Sequence, residues 1–484
     1  MLRRAGAALA LLALVLSGCA AASDSVSTTD AGVQLFQLPW TTIAAECEQN
    51  LGPAGFSWVL TSPPNEHITG DAWWASYQPV SYQVESRLGT REEFADMTAR
   101  CAAVGVDIIA DAVINHMTGQ NDPGTGWAGS AYDHYDYPGI YAEGDFHHCG
   151  LTQYDDIEDY KNREQVQNCE LVNLADLDTA SESVRATIVA YLDDLLSLGV
   201  AGFRIDAAKH MAAEDVAAIV GALPEGTRIM SEVIRGAGEP VLPEEYTAFG
   251  EVFEFTYARD LAMPLQSGVW GSPQTDPAQR PQHVPGDRAI VFVDNHDTER
   301  GEAKVTYRQP ELYAIANALL LADDYGTPVV LSGYAFEDRD AGAKTDAAGR
   351  VVADVCAADV GLSRSLSERS ETKGGGGQRT CVHTWPVITA MLGFRAEVGD
   401  APRLPGVEVG DAYGFEREGH GILAVNVGRS DETLTIPTTM PDGVYCNIIT
   451  ACADEVTVTA GTATITLPGR TATAIHLGAR KAQS

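Results

Sequence analysis

The chain has 484 residues, with 32 Lys and Arg against 67 Asp and Glu and a formal net charge of −35. So acidic a surface excludes nucleic acid as a partner, because phosphate contacts need clustered Lys and Arg, and it suits a neutral or cationic substrate. The length exceeds one compact domain and fits a barrel with additions, expected to act as a monomer.

Residues 1–18 read as an export signal: Arg3 and Arg4 form a positive start, and residues 5–16 form an apolar run shorter than the ~20 residues of a membrane-spanning helix. The ending LSGC at 16–19 has the form of a bacterial lipoprotein box, in which Cys19 becomes the lipidated N-terminus. Cleavage after the AAA at 20–22 is the alternative and gives plain secretion. In the first case residues 19–31 are a lipidated polar tether, and membrane contact runs through that lipid alone. Both routes place the protein outside the cell. Without Cys19, eight cysteines remain, an even number that in an exported chain favours disulfides. Nearness suggests Cys446 with Cys452 and Cys149 with Cys169.

Eight strands are predicted, at 33–38, 56–61, 106–111, 200–206, 228–232, 251–255, 289–294 and 328–332. Most are short, apolar and bounded by Gly, Pro or Asp, as buried parallel strands are. Helix-like stretches lie between them at 90–103, 181–198 and 310–322, the first opening on a capping box, Thr90 with Glu93 three residues on; Ser181 has no such partner at Val184. This alternation predicts a (β/α)8 TIM barrel over 32–116 and 174–396. The 95 residues from Asp111 to Asp206 are too many for one βα unit, so 117–173, rich in Gly, Asp, Tyr and His, form an irregular insertion subdomain after strand three. The GGGG run at 374–377 reads as a flexible surface loop. From 397 to 484 β-branched and polar residues alternate, at 433–436, 455–459, 462–467 and 473–477, predicting a C-terminal antiparallel β-sandwich.

Four polar clusters end strand candidates: DAVINH at 111–116, GFRIDAAKH at 202–210, MSEV around Glu232, and FVDNHD at 292–297. They bring several carboxylates to one rim of the barrel, where rigid strands fix side chains and loops are free to vary. A retaining glycosidase needs such a pair, one ionised as nucleophile and one protonated as acid, about 5–5.5 Å apart.

These clusters in this order, with SPPNEH at 62–67, WWASYQPVSY at 73–82 and GVAGFRIDAAKHM at 199–211, resemble the α-amylase family of retaining glycoside hydrolases, animal-type and actinobacterial members above all. The resemblance spans nearly the whole mature chain. It implies an extracellular endo-acting α-1,4-glucan hydrolase for starch-like polysaccharides, with Asp206 as nucleophile, Glu232 as general acid and base, and Asp297 stabilising the oxocarbenium-like state. Arg204, two residues before Asp206, is expected to keep that carboxylate ionised. His116 and His296 are implied to bind the hydroxyls of the same glucose, and Lys209 and His210 the adjoining unit. Trp73, Trp74 and Tyr77 offer aromatic faces to sugar rings, although Trp also serves as a core anchor.

The resemblance also implies Ca²⁺ bound by Asn115, Asp176 and the backbone oxygens of Gln167 and His210; Gln167 stands where the family often has arginine, without loss if its carbonyl is the ligand. No chloride is expected. Arg204 and Asn295 match two anion partners of chloride-activated relatives, but Val329 replaces the third, a basic residue. A transglycosylase or exo-acting enzyme on the same residues stays open, as does a non-catalytic glucan-capturing protein, against which the intact Asp206, Glu232 and Asp297 weigh.

Overall fold

The computed structural model describes residues 29–270, 282–356 and 377–481; the export signal, Cys19 and residues 374–376 of the glycine run lie outside the described residues. Eight parallel strands close into a barrel: β1 (Gly32–Leu35), β2 (Trp58–Thr61), β3 (Asp107–Ala112), β4 (Gly202–Ile205), β5 (Arg228–Ser231), β6 (Glu251–Phe253), β7 (Ala289–Val291) and β8 (Thr327–Ser332). Neighbours follow chain order, and β8 closes on β1 with Val33 opposite Val330. All eight predicted strands are present, with most ends trimmed. The sixth ends early because Phe255 already opens a helix.

Strand residues alternate between two apolar environments, which is why the runs read as continuously hydrophobic. Trp58, Leu60, Ile109, Met230, Phe253, Ile290, Phe292 and Val329 fill the barrel's interior. Val33, Leu35, Val59, Ile108, Phe203 and Ile205 belong to the larger core that the surrounding helices cover. Each such side chain contributes ~1.5–3 kcal/mol by leaving water. Gly32 is required here, since a Cβ would sit 2.1 Å from the Trp58 ring.

The outer helices include α1 (Trp40–Glu46), α2 (Arg91–Ala103), α3 (Glu182–Ser197), α4 (Ala213–Val220), α5 (Phe255–Ser267), α6 (Pro310–Ala322) and α7 (Pro386–Val398). Thr90 and Glu93 form the predicted capping box at the start of α2, and Ser181 makes no side-chain cap at α3. Residues 117–173 hold a two-residue ladder pair and the short helix Arg163–Asn168, around a core of Tyr137, Tyr141 and Phe146. Four disulfides form, Cys47–Cys101, Cys149–Cys169, Cys356–Cys381 and Cys446–Cys452, including both pairs suggested by nearness.

The C-terminal strands are β9 (Val407–Val409), β10 (Ala412–Arg417), β11 (Gly421–Asn426), β12 (Glu432–Pro437), β13 (Gly443–Cys446), β14 (Glu455–Thr459), β15 (Thr462–Leu467) and β16 (Thr471–His476). They form two antiparallel sheets, β9-β10-β11-β16 and β12-β15-β14-β13. The second alternates buried with exposed residues, whereas β10 and β11 are buried throughout, with Ala412, Ile422 and Ala424 facing the other sheet and Tyr413, Phe415, Leu423 and Val425 joining the main core. No helix among the described residues is long and apolar enough to cross a membrane.

Candidate active site

The site stands at the carboxyl ends of the strands. Asp111 is still on β3, while Asp206 and Glu232 each stand one residue beyond the ladders of β4 and β5. After Asp206 the chain turns sharply: Ala207 adopts a left-handed backbone, φ 50°, which a residue with a Cβ disfavours. That turn aims the Ala207 N–H at Glu232 Oε2, 2.9 Å away. Beyond β7, Asn295 Oδ1 accepts from the N–H groups of Asp297 (3.2 Å) and Thr298 (2.8 Å), and Thr298 Oγ1 accepts from the Asn295 N–H. This local turn presents His296 and Asp297 as a unit.

Arg204 is the electrostatic centre. Its Nη1 donates to Asp206 Oδ1 at 2.8 Å and also to Asp111, and its Nη2 lies 2.7 Å from Glu232 Oε1, an ion pair without hydrogen-bond alignment. Asp206 and Glu232 are thereby held on the two arms of one guanidinium. Arg204 lowers the Asp206 pKa by charge and by hydrogen bond, as expected, but burial is the larger influence and the net shift is upward. Burial also raises Glu232, with Arg204 opposing and Asp206 adding. Burial and then the Glu232 charge raise Asp297, whose side chain is nonetheless 40% exposed; burial against Arg204 leaves Asp111 at about 7. Burial thus favours the protonated form of Glu232, as an acid catalyst requires, while Arg204 favours the ionised form of Asp206.

Aromatic rings wall the site. Tyr77 stacks on His296 with centroids 5.1 Å apart and donates its hydroxyl to Asp111 at 2.8 Å. Phe36 covers the other side of His296 at 4.7 Å. Trp73 is engaged as a support, its Nε1 on the Arg339 carbonyl and its ring edge-on to Phe36, Tyr77 and His296, while Trp74 is 37% exposed. His116 is buried, with Nε2 on the Tyr77 carbonyl at 3.1 Å. Lys209 reaches the Ile234 carbonyl at 2.8 Å and Glu239, and His210 Nδ1 meets the Val166 carbonyl at 2.9 Å. Burial pushes His116 and His210 down to about 4 and His296 lower still, so all three are neutral at pH 7.

Two contributors escaped the sequence assignment. Asp111 was visible as the start of DAVINH, but its inward direction needs the strand register. Arg300 had no motif; it donates to the carbonyls of His296 and Arg339 and lies 4.0 Å from the Phe336 ring centroid, backing the Asp297 turn.

The four residues assigned to calcium converge where the insertion meets the barrel. His116 and Asp176 form a β-bridge, and the helix carrying Gln167 is stitched to the 208–211 turn through Val166 with His210 and Gln167 with Met211. Asn115 Oδ1 is buried without a hydrogen-bond donor, and beside it Asp176 is buried against His147 and Asn115 Nδ2. A buried carboxylate next to an orphaned amide oxygen fits a hard oxygen-seeking cation.

A closed parallel barrel with adjacent carboxyls at its carboxyl rim is an arrangement that glycoside hydrolases use. The family described as the α-amylase catalytic domain matches residues 61–257. An α-amylase of Streptomyces violaceus is 41% identical over 463 residues, covering 93% of this chain and 74% of the relative. One from Tenebrio molitor is 37% identical over 441 residues, covering 86% and 88% respectively. The structure of α-amylase I from Eisenia fetida superposes with a TM-score of 0.82 at 32% identity, over 93% of this chain and 97% of that one; a mutant of the same enzyme is known in complex with maltohexaose. The chain belongs to the α-amylase family.

Proposed function

We propose that this enzyme is an extracellular, endo-acting α-1,4-glucan hydrolase that cleaves starch-like polysaccharides with retention of configuration. The observation that carries the reading is the Arg204 guanidinium spanning Asp206 and Glu232, with the Ala207 N–H fixing the second carboxyl against the first. Asp206 attacks the anomeric carbon while Glu232 gives its proton to the leaving oxygen; the glycosyl ester on Asp206 is then hydrolysed by water that Glu232 deprotonates. Asp297 faces the positive charge of each transition state. Tyr77 and Trp74 receive sugar faces, His116 and His296 meet hydroxyls, and Lys209 and His210 border the next unit. Maltohexaose bound by the Eisenia fetida relative supports an oligomeric glucan as ligand.

Asn115, Asp176 and the carbonyls of Gln167 and His210 would hold Ca²⁺. The ion would tie insertion to barrel, a structural contribution away from bond cleavage. Val329 lies in the apolar layer with Phe253 and Phe292, and its side chain offers an anion neither charge nor donor, which supports chloride independence. Export with lipidation at Cys19 is part of this reading and is checked by N-terminal sequencing and lipid analysis of the mature protein.

The test is NMR of early products from a maltooligosaccharide, with Asp206→Asn and Glu232→Gln alongside. Initial α-anomers are expected, with kcat lowered by several orders of magnitude in both variants and folding retained. Initial β-anomers, or near-normal turnover in either variant, would overturn the assignment; a product ladder from soluble starch separates endo from exo action.

A further inference from the structure

Gln34, on β1, is absent from the catalytic scheme, yet its side chain is buried in the barrel with Nε2 2.9 Å from His296 Nδ1. His296 is a confined ring, held between Phe36 and Tyr77 and only 1% exposed, so it cannot choose new partners by turning. Its other nitrogen, Nε2, lies 3.3 Å from Asp297 Oδ2. A neutral imidazole has one N–H and one lone pair, and the partner of one nitrogen decides what the other can do. With the proton on Nδ1, a bare Nε2 would face an Asp297 oxygen, lone pair against lone pair once Asp297 is ionised. With the proton on Nε2, that nitrogen donates toward Asp297 and the adjoining sugar space, and Nδ1 needs a donor. The Gln34 amide supplies one and carries no charge of its own.

We infer that Gln34 is a positioning residue that holds His296 as its Nε2–H tautomer, so that this ring donates hydrogen bonds at the cleavage point. The inference rests on the proposed role of His296 and extends it to a residue that touches neither substrate nor the reacting carboxyls. Three side chains of similar size separate the possibilities. Gln donates and accepts, Met does neither well, and Glu in its ionised form only accepts. Gln34→Glu therefore pulls a proton onto Nδ1, leaving Nε2 bare or turning the ring into an imidazolium whose existence depends on pH. Gln34→Met leaves Nδ1 without a donor and the tautomer unselected.

The test combines long-range ¹H–¹⁵N NMR on histidine-labelled full-length enzyme, with His296→Asn used to assign the signal, and pH profiles of kcat and KM on a maltooligosaccharide. Wild type is expected to show a protonated Nε2 and a bare Nδ1, and Gln34→Glu a protonated Nδ1. Gln34→Met is expected to lose about ten- to a hundredfold in kcat, by analogy with partners that orient metal-bound imidazoles. Gln34→Glu is expected to add an ionisation to the kcat profile that wild type lacks, which loss of packing alone would not produce. A wild-type signal with the proton on Nδ1, or a Gln34→Met enzyme with unchanged kcat and KM across pH, would overturn the inference. Failure of the hydrolase reading is distinguishable: wild type would then not cleave the glucan, whatever tautomer NMR reports.

Discussion

Replacing Arg204 by Met removes the cation shared by Asp111, Asp206 and Glu232 while keeping most of the apolar volume beside Phe253. All three carboxyls are at least nine-tenths buried, so water does not take over as counter-charge. Stranding a buried charge by deleting its partner costs ~3–5 kcal/mol, unless the carboxyls take up protons and convert that cost into raised pKa values. Melting is therefore expected to fall by roughly 3–5 °C at neutral pH and by less under acid, where the carboxyls are already neutral. Catalysis reads the same loss differently. Arg204 pulls the Asp206 pKa down against burial, so its removal lets that pKa rise, and the ionised nucleophile forms only at higher pH. The acid limb of kcat/KM is expected to move up by about 1–3 pH units, the usual influence of one adjacent opposite charge. Arg204→Lys keeps a charge but cannot span two carboxylates with two planar arms, and is expected to restore stability better than turnover. Calorimetry and a full pH–rate profile decide it. A variant with superimposable kcat/KM profile and a melting point within a degree of wild type would show that Arg204 does not organise this cluster.

Chelation of a sample confirmed by metal analysis to be calcium-free should lower Tm and activity together, with both restored by added Ca²⁺; an unchanged melt would remove the site at Asn115 and Asp176. Activity should be equal in chloride and in a poorly binding anion at matched ionic strength, and a saturable several-fold rise with chloride would mean that another residue does what Val329 cannot. Glu299, buried near Asp294 and raised well above the ordinary range first by burial and then by that charge, keeps its proton in the fold and loses it on unfolding. Its contribution is thus complete below the unfolded pKa and lost as pH rises toward the folded one. Glu299→Gln should therefore gain on wild type by about 1.4 kcal/mol per pH unit from roughly pH 5 upward, until the folded pKa is reached; a pH-independent difference in stability would refute this.

The barrel was legible because its strands are buried on both faces and separated by helix-like stretches, patterns that need no tertiary information. Their ends were not legible to the residue. Phe255 reads as the end of a strand because it is apolar, yet Glu254 accepts from the Thr256 N–H as a helix cap and the strand has already finished at Phe253. In the sandwich, β12 and β15 were visible through their alternation, whereas β10 and β11 carry no polar face because the barrel helices cover what would otherwise be a solvent side.

In the site, residue types at strand ends were readable and their energetic balance was not. Arg204 two residues before Asp206 places both side chains on the same face of a strand, which is correct as geometry. Arg204 lowers the Asp206 pKa as that geometry implies, but burial outweighs it, and the net shift is not readable from an isolated pair. Sign depends on how many carboxylates share the cation and on how much water remains, and those come from β3 and β5, far away in sequence. Asp111 illustrates the point: the parallel register sets it directly opposite Arg204, so a residue 93 positions earlier takes part of the charge that sequence reasoning assigned wholly to Asp206. The Gln34 contact with His296 spans 262 positions and closes the same circle from β1. A local motif can name the groups that do chemistry, but their protonation is set by barrel closure, since only closure brings β1, β3, β4, β5 and the turn after β7 to one dry rim.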